Sequence, residues 1–350
     1  MSISTTLPCV VTFAGIDYHK KFSVVTLGDQ AGKTVTTQRL PNDAHAIRTF
    51  FNDFPNIQCA VESCRGYEWF VDLLKEIGLT VHLANPYEVA LIARSRCKTD
   101  KVDSRILMEL LVMGFLPVCY QPTAEERRLR ERLRWRCHLV RNATRIKLRI
   151  HSLIDKENLG PNVSRSMFVG EGRKLLEQTE LKAPGRQELM KKHLKLLKHI
   201  EEVVDAEDAW VKKAVKTNSD AQLLKTIPGV GDFSALLILA EVGSISRFKR
   251  SAQLVNFAGL VPSVRQSSNS KFTGPITKQG SPILRWILVQ DAWRAIRTCQ
   301  PLRHFYMNVS KRCGRNGAII ATARKLLEIV FRVLKDQTPF DATRIGKQPA

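Results

Sequence analysis

The sequence is short of acids: 33 Asp and Glu stand against 55 Lys and Arg, a formal net charge of +22. Such a deficit points to a polyanionic partner, most simply nucleic acid. Long apolar runs are also missing. None approaches the ~20 residues of a spanning helix, so a membrane is the weaker rival. The first residues, Met1 to Leu7, carry no basic segment, which argues against a secretory signal. The eight cysteines form no C-x-x-C pair, so neither a zinc ribbon nor a disulfide framework is expected. Reduced thiols in a cytoplasm fit that pattern.

What is present is ordinary for a folded chain. The 350 residues are 44% hydrophobic and 25% charged, enough for two or three domains with real cores. Residues 10 to 40 alternate like strands and read as an antiparallel meander of three. Helical patterns follow near 43–54, 67–77, 86–94 and 101–114, with strands near 57–62 and 80–84 between them. Three strands, helix, strand, helix, strand, helix is the order of a ribonuclease H-like fold.

From about residue 123 the pattern becomes helical. Leu129, Leu133, Cys137, Val140, Ala143, Ile146, Ile150 and Leu153 recur at spacings of three or four, a coiled-coil-like stripe. Between Arg127 and Arg149 lie ten Lys or Arg and one acid, Glu131. Arg134, Arg141 and Arg145 are therefore candidate nucleic-acid contacts, against the plainer reading of a solvated face. A break from Gly160 to Arg173 and a second helix over 185–215 predict an elongated helical hairpin, unless a partner chain covers the stripes instead. Residues 220 to 340 read as a third, mostly helical unit. There Ile227-Pro228-Gly229-Val230-Gly231 precedes a helix, like the turn of a helix-hairpin-helix motif, and Gly229 and Gly231 would present backbone N–H groups to a phosphate. The expected division is 10–118, 119–216 and 217–345.

Four acids are candidates for chemistry. Asp17 closes the apolar run that begins at Val11, and Glu62 closes a second from Ile57. Asp100 and Asp103 stand three apart at a helix start, so they can share a face. Hard oxygens from separate elements suit Mg²⁺, and two such ions can hold the attacking and leaving oxygens of a phosphodiester. Each acid also has a plain reading; Asp100, for instance, can simply cap its helix. Glu68, Asp72 and Glu109 have the right chemistry but fall in mid-helix. His19 would face the same side as Asp17 and could assist a metal site or position a phosphate, but such a histidine is more often a turn residue and it is placed outside the site. Arg65 is free to reach a phosphate.

Gly15-Ile16-Asp17, Val61-Glu62-Ser63 and the run Lys98 to Arg105 resemble the Asp-Glu-Asp-Asp tetrad of the insertion-sequence-110 family of transposases, shared by Piv-type DNA invertases. Ile227 to Gly231, Phe257 to Pro262, Ile276 to Gly280, Leu284-Arg285 and Ala323 to Leu327 resemble that family's second domain. The resemblance runs from about residue 12 to 345. It implies a RuvC-like N-terminal domain, a metal site of Asp17, Glu62, Asp100 and Asp103 holding up to two Mg²⁺, and a serine nucleophile. Ser267 falls on the family serine; Ser268 replaces the usual glycine, and Ser270 is close by. Before that resemblance, any serine in this polar loop reads as a turn residue. Lys278 and Arg285 are expected to clamp phosphate. The resemblance further implies a structured guide RNA, with element-end and target DNA as substrates; cleaving and rejoining several strands requires several active sites, so a dimer or tetramer is expected. A site-specific invertase of the same fold and a junction-resolving nuclease are the alternatives.

Overall fold

The computed structural model describes residues 11–93, 99–159, 167–267 and 270–345. They fall into two compact units, 1–121 and 122–350. No described helix is long and apolar enough to cross a membrane. The six described cysteines are free.

The first unit is mixed α/β. Strands β1 (Val11–Tyr18), β2 (Phe22–Asp29) and β3 (Thr34–Pro41) form the expected antiparallel meander. Helix α1 (Ala44–Asn52) leads to β4 (Gln58–Glu62), α2 (Glu68–Glu76) to β5 (Thr80–Ala84), and α3 (Pro86–Ile92) precedes α4 (Asp100–Val112). The sheet order is β3-β2-β1-β4-β5, with β4 and β5 parallel to β1. The apolar runs at β1 and β4 are the central strands, so Ile16, Cys59 and Val61 are fully buried. Helix α4 lies directly on β1. A Cβ on Gly15 would collide with the Ser104 carbonyl and the Met108 amide, so only glycine lets the helix backbone come this close. A buried hydrogen bond between Thr26 and Ser104 hydroxyls, 2.8 Å, fixes the helix to β2 as well.

The second unit is mostly helical. Helix α5 (Ala124–Asp155) starts with a capping box in which Thr123 and Glu126 satisfy each other's backbone amides. It runs antiparallel to α7 (Pro184–Lys216), with α6 (Gly170–Gln178) between them. Most of the predicted stripe is the seam: Ala143, Ile146, Ile150 and Leu153 meet Met190, Leu197 and Ile200 in one core, with Leu139 buried there in place of the expected Val140. Nearer the base, Leu133 and Cys137 join Val211 and Val215 in the C-terminal core. The expected break is shorter than the sequence suggested. Residues 160–166 lie outside the described residues, but Arg173 is helical and pairs with Glu177 at 2.8 Å and Glu201 at 3.3 Å.

Beyond the hairpin, α8 (Ser219–Lys225), α9 (Asp232–Val242) and α10 (Ser251–Phe257) lead to a two-stranded ribbon, β6 (Pro262–Ser267) and β7 (Ser270–Ile276). Helices α11 (Pro282–Thr298) and α12 (Gln300–Asp336) complete the unit; α12 is interrupted at Gly314, φ 68° and ψ 176°. The ribbon overturns the reading of a polar loop around Ser267. Val264 and Phe272 are exposed, so no buried face imposes the apolar alternation by which a strand is recognised.

Candidate metal centre and nucleic-acid surfaces

Two adjacent parallel strands set the first pair of acids. Ile16 stands beside Val61 in the β1–β4 register, so Asp17 and Glu62 follow side by side at the same end of the sheet. The second pair comes from α4. Thr99, not Asp100, is the N-cap, its hydroxyl accepting from the Val102 amide at 3.3 Å. Asp100 and Asp103 are thus both in the first turn, where the helix dipole favours negative charge. Because α4 rests on Gly15, two residues before Asp17, this turn is carried to the strand ends. All four acids line one groove with Tyr18, His19, Cys64 and Thr99.

His19 is the residue that sequence reasoning left out. Its Nε2 lies 3.1 Å from Asp17 Oδ2 and 3.4 Å from Asp100 Oδ2, and the three side chains form a metal-competent cluster. The signal was its place two residues after Asp17. Of the weaker acids, Glu68 opens α2 rather than sitting in mid-helix, and Glu109 pairs with Arg105 at 3.5 Å.

Burial pushes the Asp17 carboxyl above its ordinary range; His19 opposes this, while Asp100 and Asp103 add to it. Converging carboxylates of which one is desolvated repel one another, and a divalent cation relieves that repulsion. The donor set therefore fits a hard metal ion.

The structure separates the basic candidates. Arg134 makes a bidentate pair with buried Glu241, 2.8 and 2.9 Å, so it is committed inward rather than presented to a polyanion. Arg130 donates to the carbonyls of Ala240 and Glu241, at the C-terminal end of α9. Arg132 pairs with Glu207 and lies over Trp210; Arg136 pairs with Asp208 and lies over Phe233. Arg141 and Arg145 are exposed.

The C-terminal candidates divide in the same way. Gly229 has φ 89°, and a Cβ there would strike the α11 backbone at Asp291 and Ala295. It is glycine for close packing. Gly231 caps α9 with open space around it, beside the 2.7 Å pair of Lys225 and Asp232. Arg285 does not reach out as a phosphate clamp: its Nη1 donates to the carbonyls of Ala258 (3.1 Å) and Gly280 (3.0 Å) and holds two turns together. Lys278 is exposed, at φ 56°. Ser267 ends β6, its backbone paired with Ser270; Ser268 lies outside the described residues.

The known proteins that the chain resembles are DNA transposases. Residues 14–158 match the model of the DEDD transposases of IS110 type, and residues 221–307 match "Transposase IS116/IS110/IS902 family". The chain is 28% identical to the transposase for insertion sequence element IS1111A of Coxiella burnetii, over 94% of this chain and 91% of that one. It is 25% identical to a probable family 20 transposase of Pseudomonas aeruginosa, covering 83% and 88%. To the transposase for insertion sequence element IS1328 of Yersinia enterocolitica it is 23% identical, covering 94% and 98%. The chain belongs to the IS110 family of transposases.

Proposed function

We propose that this transposase cleaves and rejoins DNA through a metal site of Asp17, Glu62, Asp100 and Asp103 and a nucleophilic serine, Ser267, with a structured RNA as guide. The observation that carries the reading is the meeting of four acids, drawn from β1, β4 and α4, in one groove. The sheet order and the position of α4 support a ribonuclease H-like, RuvC-like first unit. One or two bound Mg²⁺ would supply Lewis-acid stabilisation of the phosphorane and lower the barrier to attack.

The chain's own residues do the rest. The acids hold the cation. The Ser267 hydroxyl attacks phosphorus, a phosphoserine ester forms, and the bond from phosphorus to the leaving sugar oxygen breaks. The hydroxyl proton passes to solvent and the leaving oxygen takes one up. The ester keeps the bond energy for rejoining, which hydrolysis by water would discard. Arg141, Arg145 and Lys278, all exposed, would contact phosphate.

The test is purification with identification of any bound RNA, then incubation with element-end DNA and Mg²⁺. A covalent adduct should map to Ser267. Replacing any of the four acids by Ala should cut strand cleavage by more than ~100-fold, beyond the usual cost of losing a group behind the ligands, with nucleic-acid binding retained. Cleavage by Ser267→Ala at the wild-type rate with no adduct would leave hydrolysis as the better reading.

A further inference from the structure

We propose that His19 is a metal ligand, and that its imidazole nitrogen biases the site toward Mn²⁺ over Mg²⁺. The inference rests on the reading that the groove holds a divalent cation.

The first argument is spacing. Two ligands at right angles around an ion, each bonded at 2.1 to 2.2 Å, lie about 3.0 Å apart. His19 Nε2 lies 3.1 Å from Asp17 Oδ2 and 3.4 Å from Asp100 Oδ2, near that separation for both carboxylates. The second is the state of the nitrogen. Nε2 is shielded from solvent and faces the carboxylates of both Asp17, with which it interacts, and Asp100.

The third argument is how firmly the ring is held. His19 sits in the tight turn between β1 and β2, its amide donating to the Phe22 carbonyl at 2.9 Å. Asn42 Nδ2 donates to the His19 carbonyl, and the same Asn42 accepts from the buried Ser23 hydroxyl at 2.7 Å. The imidazole lies against the Phe22 ring, centroids 4.6 Å apart, and the Arg39 guanidinium lies over that same ring at 3.6 Å. Backbone and ring are both fixed before any ion arrives, which is the preorganisation that ligands need.

The chemistry follows from the donor set. Mg²⁺ is hard, prefers oxygen and keeps its water; imidazole suits first-row transition ions. Replacing one oxygen by nitrogen favours such an ion, and Mn²⁺ among them tolerates the remaining carboxylates best.

The probe is Mn²⁺ alone, added below one equivalent to the full-length protein and read by pulsed electron paramagnetic resonance. Wild type should show ¹⁴N modulation from a directly bound imidazole, and His19→Gln should lose it. By calorimetry His19→Gln should weaken Mn²⁺ binding ~10-fold or more and change Mg²⁺ binding less than ~3-fold, while Asp17→Asn weakens both. Mn²⁺ bound without nitrogen modulation in wild type, or modulation that persists in His19→Gln, overturns the assignment of His19 and leaves the acid site standing. Failure of the wild type to bind either ion overturns both. The wild-type spectrum decides the matter even if the variant misfolds.

Discussion

Asp291 is a carboxyl with almost no water around it. It is fully buried on α11, accepts from Ser234 at 2.7 Å, and its Oδ2 has no hydrogen-bond partner among the described residues. Burial raises its pKa from 3.8 to about 7, against smaller opposing effects of Ser234 and Arg294. The folded state therefore holds this proton more tightly than the unfolded chain. Its stabilising contribution is complete below about pH 4 and is lost as pH rises toward 7, by at most about 1.4 kcal/mol per pH unit. Asp291→Asn should flatten that decline between about pH 4 and 7 in thermal melts taken beside wild type. Parallel curves would show that Asp291 is charged in the fold. Gly15 offers a second test. Gly15→Ala should cost about 1–3 kcal/mol by overpacking against α4, measured by denaturant unfolding. It should also weaken divalent-cation binding by moving Asp100 and Asp103 away from Asp17. Unchanged stability and affinity would mean that α4 can retreat freely.

At the scale of elements, the arginines of α5 do two jobs. The proximal ones lock the hairpin to acids of α7 and α9. Arg134→Ala leaves Glu241 buried and unpaired, at an expected cost of about 3 kcal/mol, the low end for a broken buried pair because Arg134 is itself partly exposed. A melt within 1 °C of wild type would refute the lock. The sequence showed the arginine run but not its partners, since periodicity says nothing about which acid a basic face meets. One sign was legible in retrospect: Glu241 is the lone acid after an apolar run from Ala235 to Ala240. The strands carrying Asp17 and Glu62 were readable because they are buried on both sides and hence continuously apolar. The β6–β7 ribbon was not, because its exposed Val264 and Phe272 break the pattern. His19 was passed over because a histidine in a turn is usually just that, and only the fold brings Asp100 to it.

For the whole molecule the surplus of +22 predicts affinity for nucleic acid that falls steeply with salt. The structure says which charges to change. Arg141→Glu with Arg145→Glu should reduce the slope of log K against log salt by about 2, one for each lost phosphate contact, without lowering the melting temperature. An unchanged slope would mean that this face is merely solvated. Calcium in place of magnesium should support binding but little strand cleavage, because its longer, looser bonds place the oxygens poorly.

The clamp at the base of α5 also has a mechanical side. The helix continues from Arg134 to Asp155, about 30 Å beyond the anchor. A tilt of about 10° at Glu241 swings Arg145, about 16 Å away along the helix, by about 3 Å, roughly one base-pair step of a duplex. Arg134 and Glu241 thus form the fulcrum of a pointer. The aim of Arg141 and Arg145, and with it the register in which they would meet a phosphate backbone, is set in part by this pair, together with the neighbouring anchors at Arg132 and Arg136.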